Sequence, residues 1–269
     1  MGQTIACANQ KGGVGKTTTV VNLATYLALS GDHVLVIDLD PQGNATSGFG
    51  VDRSALGGSI YDAIIGSADL TDLAIGTDVP GLWLVGSTIA LAGAEVELAP
   101  LPQRERRLAR LIAPVAQRFD YILIDCPPSL GLLTVNALTA ADAVLIPMQC
   151  EFYALEGLTQ LIATVNLVRD NLNPDLAVKG VVLTMYDART NLSADVSAEV
   201  RRHLDGAVYT TIVPRSVRLS EAPSHGRPIA LYRPDSAGAI AYRALADEMR
   251  LADRRPTTRI AAEPVGVGP

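Results

Sequence analysis

Short apolar runs recur along the chain and alternate with longer segments in which apolar residues return every three or four positions. Runs that are apolar at nearly every position are typical of parallel strands buried on both faces of a sheet. The predicted strands are Thr4–Ala8, Val34–Ile37, Leu82–Val85, Tyr121–Asp125, Ala143–Pro147, Val178–Thr184 and Val208–Val213.

The segments between these runs predict helices. In the first of them, apolar residues share one helical face from Val20 to Ala28, and Gly31 follows as a stop signal. The predicted helices are Lys16–Ser30, Ser59–Ile65, a basic Arg104–Arg118, Leu133–Ala141, Leu155–Asn171, Ser193–Leu204 and Ser236–Leu251. This alternation predicts an α/β protein with a doubly wound, mostly parallel sheet flanked by helices.

Composition supports this fold class. The chain has 269 residues, of which 48% are hydrophobic and 4% aromatic, so the core consists mainly of small aliphatic side chains. No linker interrupts the pattern before about residue 250. We therefore expect a single domain over residues 1–251 and a Pro- and Gly-containing tail over residues 252–269 that is disordered.

Several classes of protein are disfavoured. No apolar run reaches a membrane span of roughly 18 residues, and no signal-peptide pattern opens the chain, so we expect a cytoplasmic protein without a membrane partner. Cys7, Cys126 and Cys150 lack C-x-x-C spacing and predict neither disulfides nor a zinc site. The three histidines are scattered, which disfavours a histidine metal cluster.

Charge is distributed unevenly along the chain. The net charge is −6, but residues 1–188 carry 10 basic and 19 acidic side chains, whereas residues 189–269 carry 12 basic and 9 acidic ones. Every basic residue in the second part is an arginine. This balance allows a local basic surface that binds polyanions, although an ordinary solvated helical surface has the same composition.

The segment NQKGGVGKTT, residues 9–18, lies between the first predicted strand and the first predicted helix. Glycine-rich backbone followed by a helix N-terminus forms a cradle of N–H groups for phosphates. Lys16 is expected to reach the β- and γ-phosphates, and the Thr17 hydroxyl to bind Mg²⁺. The predicted phosphate-binding residues are Lys11, Gly12, Gly13, Val14, Gly15, Lys16, Thr17 and Thr18.

The loop departs from the standard P-loop pattern at its start. Gln10 occupies the position of the usual first glycine, and an additional lysine, Lys11, follows it. A second lysine could remain on its own nucleotide or extend toward the phosphates bound by another subunit.

Carboxylates follow two of the predicted strands. Asp38 and Asp40 come at the end of the second run, where side chains alternate with period two, and Asp125 ends the Tyr121–Asp125 run. One carboxylate could bind the metal or its water, and another could orient the attacking water. Turn chemistry around Pro41 and Gly43 is the alternative for Asp38 and Asp40. Asp125, at a strand end downstream of a phosphate-binding loop, is the candidate Mg²⁺ ligand beside Thr17.

The later strand ends suggest the purine side of the site. Pro214 follows the last predicted strand and is suitably placed to cover a base, and Met185 and Ser216 are further candidate nucleotide contacts near strand ends.

Together, the segments KGGVGKTT, DLDPQGNAT, DCPPSLGLLT, EFYALEGL, LTMYDART and VRLSEAPSHG closely resemble ParA-type chromosome and plasmid partitioning ATPases of the Soj-like branch. The resemblance covers roughly residues 1 to 250. The loop is the deviant Walker A motif, which MinD-type ATPases and nitrogenase iron proteins share, and the later segments narrow the choice.

The resemblance implies specific roles. Lys11 corresponds to the signature lysine that reaches across an ATP-sandwich dimer, and Gly12 to the glycine that allows two loops to approach. Asp40 corresponds to the residue that positions the hydrolytic water, and Asp125 to the Walker B aspartate. The resemblance thus implies that Thr17, Asp40 and Asp125 serve Mg²⁺ and that Lys11, Lys16 and Asp40 serve catalysis. Arg189 and Arg218 match positions that bind DNA without sequence preference.

The implied protein is an ATP- and Mg²⁺-dependent homodimer that binds duplex DNA on the nucleoid. A ParB-type centromere-binding partner would stimulate its slow hydrolysis. The chemistry agrees, because a γ-phosphate shared by Lys16 and the second subunit's Lys11 makes dimerisation conditional on ATP. Two weak arginine surfaces in one dimer would then raise DNA affinity.

Three other functions remain open at this stage. A MinD-like membrane cycle needs a C-terminal amphipathic helix, and residues 252–269 show no apolar stripe. An iron protein needs cysteines that share a cluster between subunits, and Cys126 directly after Asp125 does not fit that pattern. A nucleotide-gated scaffold with negligible turnover is the third possibility.

Overall fold

The computed structural model describes residues 2–151, 154–204 and 206–253. In these residues eight strands form one sheet in the order β3-β4-β2-β5-β1-β6-β7-β8. The strands are β1 (Gln3–Cys7), β2 (Val34–Asp38), β3 (Ile75–Gly76), β4 (Leu82–Val85), β5 (Tyr121–Asp125), β6 (Ala143–Gln149), β7 (Ala177–Tyr186) and β8 (Val208–Pro214). All neighbours pair in parallel except β3 and β4. The predicted fold class is confirmed.

Helices cover both faces of the sheet. They are α1 (Lys16–Leu29), α2 (Asn44–Gly48), α3 (Ile60–Ile65), α4 (Leu70–Leu73), α5 (Leu91–Leu98), α6 (Arg107–Ile112), α7 (Leu132–Ala140), α8 (Ala154–Asn171), α9 (Asn191–His203), α10 (Val217–Glu221), α11 (Ile229–Tyr232) and α12 (Ala237–Asp253). Alternate residues of β1 enter different apolar clusters: Ile5 packs with the α1 and α12 side chains, and Ala6 with the α7 and α8 side chains. This two-sided burial explains why the strands read as continuous apolar runs.

The predicted helix Arg104–Arg118 is wrong as a single element. It consists of a 3₁₀ turn at Arg104–Arg106, helix α6, and a second 3₁₀ turn at Ala116–Arg118. Pro114 lies just beyond α6, and proline lacks the N–H group that a continuing helix needs. Helices α2, α4, α5, α10 and α11 and the short strand β3 were not predicted, because their apolar periods are too short to register.

The last helix is longer than predicted, since α12 continues through Asp253. Its end is fixed to the sheet: the Asp253 carboxylate accepts a hydrogen bond of 2.8 Å from the Tyr121 hydroxyl and pairs with Lys179. The predicted tail is therefore helical at residues 252 and 253, and residues 254–269 lie outside the described residues. Within the described part, no helix is long and apolar enough to cross a membrane.

Parallel pairing determines where polar chemistry collects. Because β1, β2, β5, β7 and β8 run in one direction, their carboxyl ends meet at one edge of the sheet. The phosphate loop, the aspartates and the arginines all follow these ends.

Candidate active site

The phosphate loop has a backbone that glycine makes possible. Gly13 and Gly15 have φ values of 75° and 89°, in the left-handed region that favours glycine. Gly15 is also the residue that precedes helix α1. The buried Asn9 amide fixes the start of the loop, donating to the Pro147 carbonyl (2.8 Å) and accepting from the Lys11 N–H (3.0 Å). The loop is thus held in shape by β6 and by its own turn.

Lys16 and the two threonines after it form the first turn of α1. The Lys16 side chain is buried, and its Nζ donates to the Lys11 carbonyl at 3.1 Å, so the ammonium lies within the curve of the loop. Val14 is buried as well, and its carbonyl accepts a 2.8 Å hydrogen bond from the Thr184 hydroxyl of β7. Buried lysine, backbone N–H groups and a helix N-terminus together form an anion site.

Lys11 has different surroundings from Lys16. Its side chain is 44% exposed, and its Nζ lies 2.6 Å from a Glu151 carboxylate oxygen. The other Glu151 oxygen accepts a 2.5 Å hydrogen bond from the Gln149 amide. The two lysines of the loop are therefore divided between a buried phosphate position and an exposed ion pair. Sequence reasoning did not find Glu151, because the pair spans 140 positions.

Asp38 and Asp125 lie side by side at the sheet edge, since they are register partners on β2 and β5. Asp125 is fully buried, and neither of its carboxylate oxygens has a hydrogen-bond partner. Burial and the neighbouring Asp38 carboxylate raise the Asp125 pKa well above its usual value. The Thr17 hydroxyl is close enough to lower that pKa, although it makes no hydrogen bond of standard geometry. A buried pair of orphaned oxygens beside a threonine hydroxyl fits a bound Mg²⁺.

The protein ligands alone are too few to hold a metal. Among the described residues, no group of three or more His, Cys, Asp or Glu side chains could do so. Mg²⁺ commonly binds through one or two protein ligands together with phosphate oxygens and water. The site is therefore suited to a metal that arrives with a nucleotide.

Asp38 and Asp40 differ in structure, and the expectation that both project from one strand is wrong. Strand β2 ends at Asp38, whose carboxylate accepts from the Thr46 N–H (2.8 Å) and hydroxyl (2.6 Å). Burial raises the Asp38 pKa to about 6 against these hydrogen bonds. Asp40 lies in the following turn and accepts from the Gln42 N–H at 2.9 Å. Asp38 fixes the start of helix α2 through these hydrogen bonds, whereas the Asp40 carboxylate accepts fewer hydrogen bonds from the described residues.

The candidate purine residues lie at the carboxyl ends of β7 and β8. Strands β7 and β8 pair with Tyr186 opposite Pro214, which brings the neighbours Met185 and Ser216 to the same edge. Met185 has a φ of 49°, a left-handed conformation that is unusual for a residue other than glycine. Strained backbone of this kind is common at functional sites.

The two candidate DNA-binding arginines follow the same neighbouring strands. Arg189 comes after β7 and is 86% exposed, and its guanidinium makes two hydrogen bonds to Asp187, at 2.8 and 2.7 Å. Arg218 lies in α10, is 48% exposed and pairs with Glu221 at 2.7 Å. Arg189 holds the Asp187 pKa well below its usual range, and Arg215 contributes to that effect. We call Arg189, Arg215 and Arg218 the arginine surface. Sequence reasoning did not single out Arg215.

The fold and the loop define the class of protein: a P-loop ATPase with a deviant Walker A motif. Residues 2–178 match the family described as an AAA domain. The chain is 57% identical over 249 residues to the sporulation initiation inhibitor protein Soj of Bacillus subtilis, covering 93% of this chain and 98% of that protein. It is 51% identical over 247 residues to the chromosome partitioning protein ParA of Caulobacter vibrioides, covering 91% and 92%.

A solved structure supports the nucleotide chemistry. Cobyrinic acid a,c-diamide synthase from Mycobacterium smegmatis, with bound ATP analog and magnesium, is 40% identical with a TM-score of 0.81, covering 92% of this chain and 93% of that chain. The chain belongs to the family of Soj and ParA chromosome-partitioning ATPases. The predicted family, its ATP-hydrolysing activity and its ATP and Mg²⁺ cofactors are confirmed.

Proposed function

We propose that this ATPase dimerises when it binds ATP and that the dimer binds duplex DNA without sequence preference. Hydrolysis of ATP then separates the two subunits and releases the DNA. The observation that carries the proposal is that the two lysines of the loop, Lys11 and Lys16, have different surroundings. Lys16 is buried in the loop, whereas the Lys11 side chain is exposed and, among the described residues, bound only by a surface ion pair with Glu151. Exposed pairs contribute about 0–1 kcal/mol, so a second subunit's γ-phosphate would readily displace Glu151.

Gly12 supports the dimer. A Cβ atom at this position would meet nothing closer than the Pro128 Cβ at 3.9 Å, and its φ lies outside the left-handed region. Neither packing nor backbone conformation within one chain requires glycine there. A glycine at this position would let a second loop approach the Gly12 backbone closely.

The aspartates, Thr17 and the two loop lysines would together support ATP hydrolysis. Thr17 and Asp125 would hold Mg²⁺, which neutralises charge on the β- and γ-phosphate oxygens when bound. Asp40 is 7% exposed, lies in the turn after β2, the strand that pairs with β5 and its Asp125, and orients the attacking water. Its second predicted role, as a metal ligand, would be carried through such a water. Lys16, and Lys11 from the second subunit, stabilise the charge that develops on the transferred phosphate.

The arginine surface accounts for DNA binding. Arg189, Arg215 and Arg218 are exposed and follow strands whose ends also form the nucleotide site. Each is suited to phosphate contact, which is independent of base sequence. A dimer presents two copies of the surface, so its affinity rises steeply over that of one chain.

The cellular role is inferred from the family to which the chain belongs. We propose segregation of DNA on the nucleoid, with a ParB-type partner that stimulates hydrolysis. Amide synthesis, the activity in the name of the Mycobacterium smegmatis protein, lacks a comparable basis. Burial raises the pKa of the thiols of Cys7, Cys126 and Cys150, which favours their protonated, poorly nucleophilic form.

The test is retention of plain duplex DNA by the full chain with ATP, with ADP and without nucleotide. We expect retention with ATP alone, for unrelated DNA sequences, and its loss as ATP is consumed. Retention by anionic vesicles instead of DNA would favour the membrane cycle. Equal retention in all three nucleotide conditions would contradict the proposed switch, and ATP that is bound but never hydrolysed would favour the scaffold.

A further inference from the structure

Arg53 binds the turn that carries Asp40. It begins a short 3₁₀ helix, Arg53–Ala55, and its side chain is partly buried. The guanidinium donates to the carbonyl of Gln42 (Nη1, 2.5 Å), to that of Pro41 (Nη2, 3.0 Å) and to that of Ser87 (Nε, 3.3 Å). One side chain thus joins the turn after β2 to the segment after β4.

The charge of Arg53 has no acidic counterpart nearby. Within the described residues, no carboxylate lies at ion-pair distance from this guanidinium. All three nitrogens instead bind backbone carbonyls, and a planar fork of donors is suited to holding several acceptors in a fixed geometry. The arrangement fixes backbone position rather than neutralising a charge.

The turn is held from both sides. From within, the Asp40 carboxylate accepts from the Gln42 N–H at 2.9 Å, and the Asp40 carbonyl accepts from the Gly43 N–H at 2.9 Å. From outside, Arg53 packs so closely that a Cβ atom on Gly43 would lie 2.4 Å from its Nε. The Asp40 carboxylate can move little without breaking these contacts.

The far end of the connection is itself fixed. The Ser87 N–H donates to the Thr46 hydroxyl at 2.9 Å, and that hydroxyl donates to Asp38 at 2.6 Å. Arg53 therefore ties the Asp40 turn to a buried network at the ends of β2 and β4.

We propose that Arg53 is a positioning residue for ATP hydrolysis, which holds the Asp40 turn so that the carboxylate meets the attacking water. The inference rests on the proposed role of Asp40. Arg53 does not touch the nucleotide site's lysines or Asp125, so its loss should affect the rate of hydrolysis and not ATP binding.

The experiment compares Arg53→Gln and Arg53→Ala with wild type and with Arg107→Gln and Arg107→Ala. Arg107 is the matched control, because its guanidinium also binds a backbone carbonyl, that of Ile64, at 3.0 Å, away from the Asp40 turn. We expect kcat to fall roughly 10- to 100-fold in the Arg53 variants, the scale of a small misplacement. KM for ATP and ATP-dependent dimerisation should stay at the wild-type level, and the Arg107 variants should keep full activity.

Chemical rescue separates positioning from general loss of folding. Millimolar guanidinium should restore part of the hydrolysis rate of Arg53→Ala and have no effect on Arg107→Ala. An Asp40→Ala, Arg53→Gln double variant should be no slower than Asp40→Ala alone, because both act on one step.

The outcomes are distinguishable. Normal hydrolysis by Asp40→Ala would overturn the Asp40 role and the Arg53 inference together. A slow Asp40→Ala with normal Arg53→Gln would overturn only the inference. A slow Arg53→Ala that guanidinium does not rescue, with ATP binding lost as well, would show a structural role and also overturn it.

Discussion

The phosphate loop and the arginine surface lie at the same edge of one sheet and are built in opposite ways. The loop holds its cation, Lys16, buried against its own backbone. The arginine surface holds its cations in solvent, and Arg189 and Arg218 are each paired with an acidic neighbour, Asp187 and Glu221. Binding at the loop therefore depends on preformed geometry, whereas the proposed DNA binding at the arginine surface would be a competition between carboxylate and phosphate.

The largest effect is expected at the loop. Lys16→Ala should abolish tight nucleotide binding, because it removes a buried charge from a preorganised anion site. Lys11→Ala should retain nucleotide binding near the wild-type level, since its side chain is outside the loop's curve. Equilibrium binding of a fluorescent ATP analogue measures both. Equal loss in the two variants would remove the distinction between buried and exposed lysines.

The next effect concerns the chemical step. Asp40→Ala should slow hydrolysis on the order of 10²-fold, since it removes the group that orients water. Phosphate contacts remain, so an ATP-bound dimer should accumulate. Single-turnover hydrolysis and molar mass in the same sample provide the measurement. Normal turnover would transfer the role to Asp38, whose hydrogen bonds to Thr46 make it the weaker candidate.

The arginine surface should respond in its salt dependence. Arg189→Glu and Arg218→Glu should each weaken DNA binding by the ATP dimer for any base sequence. A lost phosphate contact lowers the slope of log affinity against log salt by about 0.9, so a symmetric dimer loses roughly two units per substitution. Arg110→Glu, at an exposed arginine of α6, is the control. Unchanged slopes would mean that Arg189 and Arg218 do not contact DNA phosphates, and Arg201, Arg202 and Arg227 would be the next candidates.

The buried aspartates predict a conflict between function and stability. The pKa of Asp125 in the folded protein is raised above its value in the unfolded chain. The contribution of Asp125 to the free energy of unfolding is therefore most favourable below about pH 4 and declines as pH rises. Asp38 acts in the same direction, with a pKa of about 6. Asp125→Asn should therefore stabilise the nucleotide-free protein at pH 7–8 by about 1–3 kcal/mol, the scale of an unsatisfied buried group.

The measurement is the unfolding midpoint of wild type and Asp125→Asn between pH 5 and 8. The advantage of the variant should shrink toward low pH, and Mg²⁺ should no longer add to its stabilisation by nucleotide. A variant that is less stable at every pH would show that Asp125 has a structural partner.

The smallest effect tests the competition at the arginine surface. Asp187→Asn should free Arg189 and tighten DNA binding by about 2- to 5-fold, because an exposed ion pair is worth about 0–1 kcal/mol. Asp195→Asn, an exposed site in α9, changes net charge equally and is the control. Equal tightening in both variants would indicate net charge alone.

The same contrast explains what the sequence could predict. The loop is a run of consecutive residues after β1, and Asp125 is the last residue of the apolar strand β5, so local sequence pattern predicts the chemistry of each. Arg53 and Glu151 reach the site across 11 and 140 positions, and the Asp187 partner of Arg189 depends on side-chain conformation. Local sequence pattern does not indicate contacts of this kind. The ion pairs and the hydrogen bonds from Arg53 to the Asp40 turn are therefore visible only in the three-dimensional structure.

In the proposed function, Lys11 converts nucleotide state into oligomeric state and thereby into DNA binding. The most direct test records molar mass and DNA retention in one ATP titration of wild type and Lys11→Ala. We predict that mass and retention rise together in wild type, that ADP raises neither, and that Lys11→Ala binds ATP but stays monomeric and unretained. A Lys11→Ala protein that dimerises and retains DNA with ATP would contradict the claim.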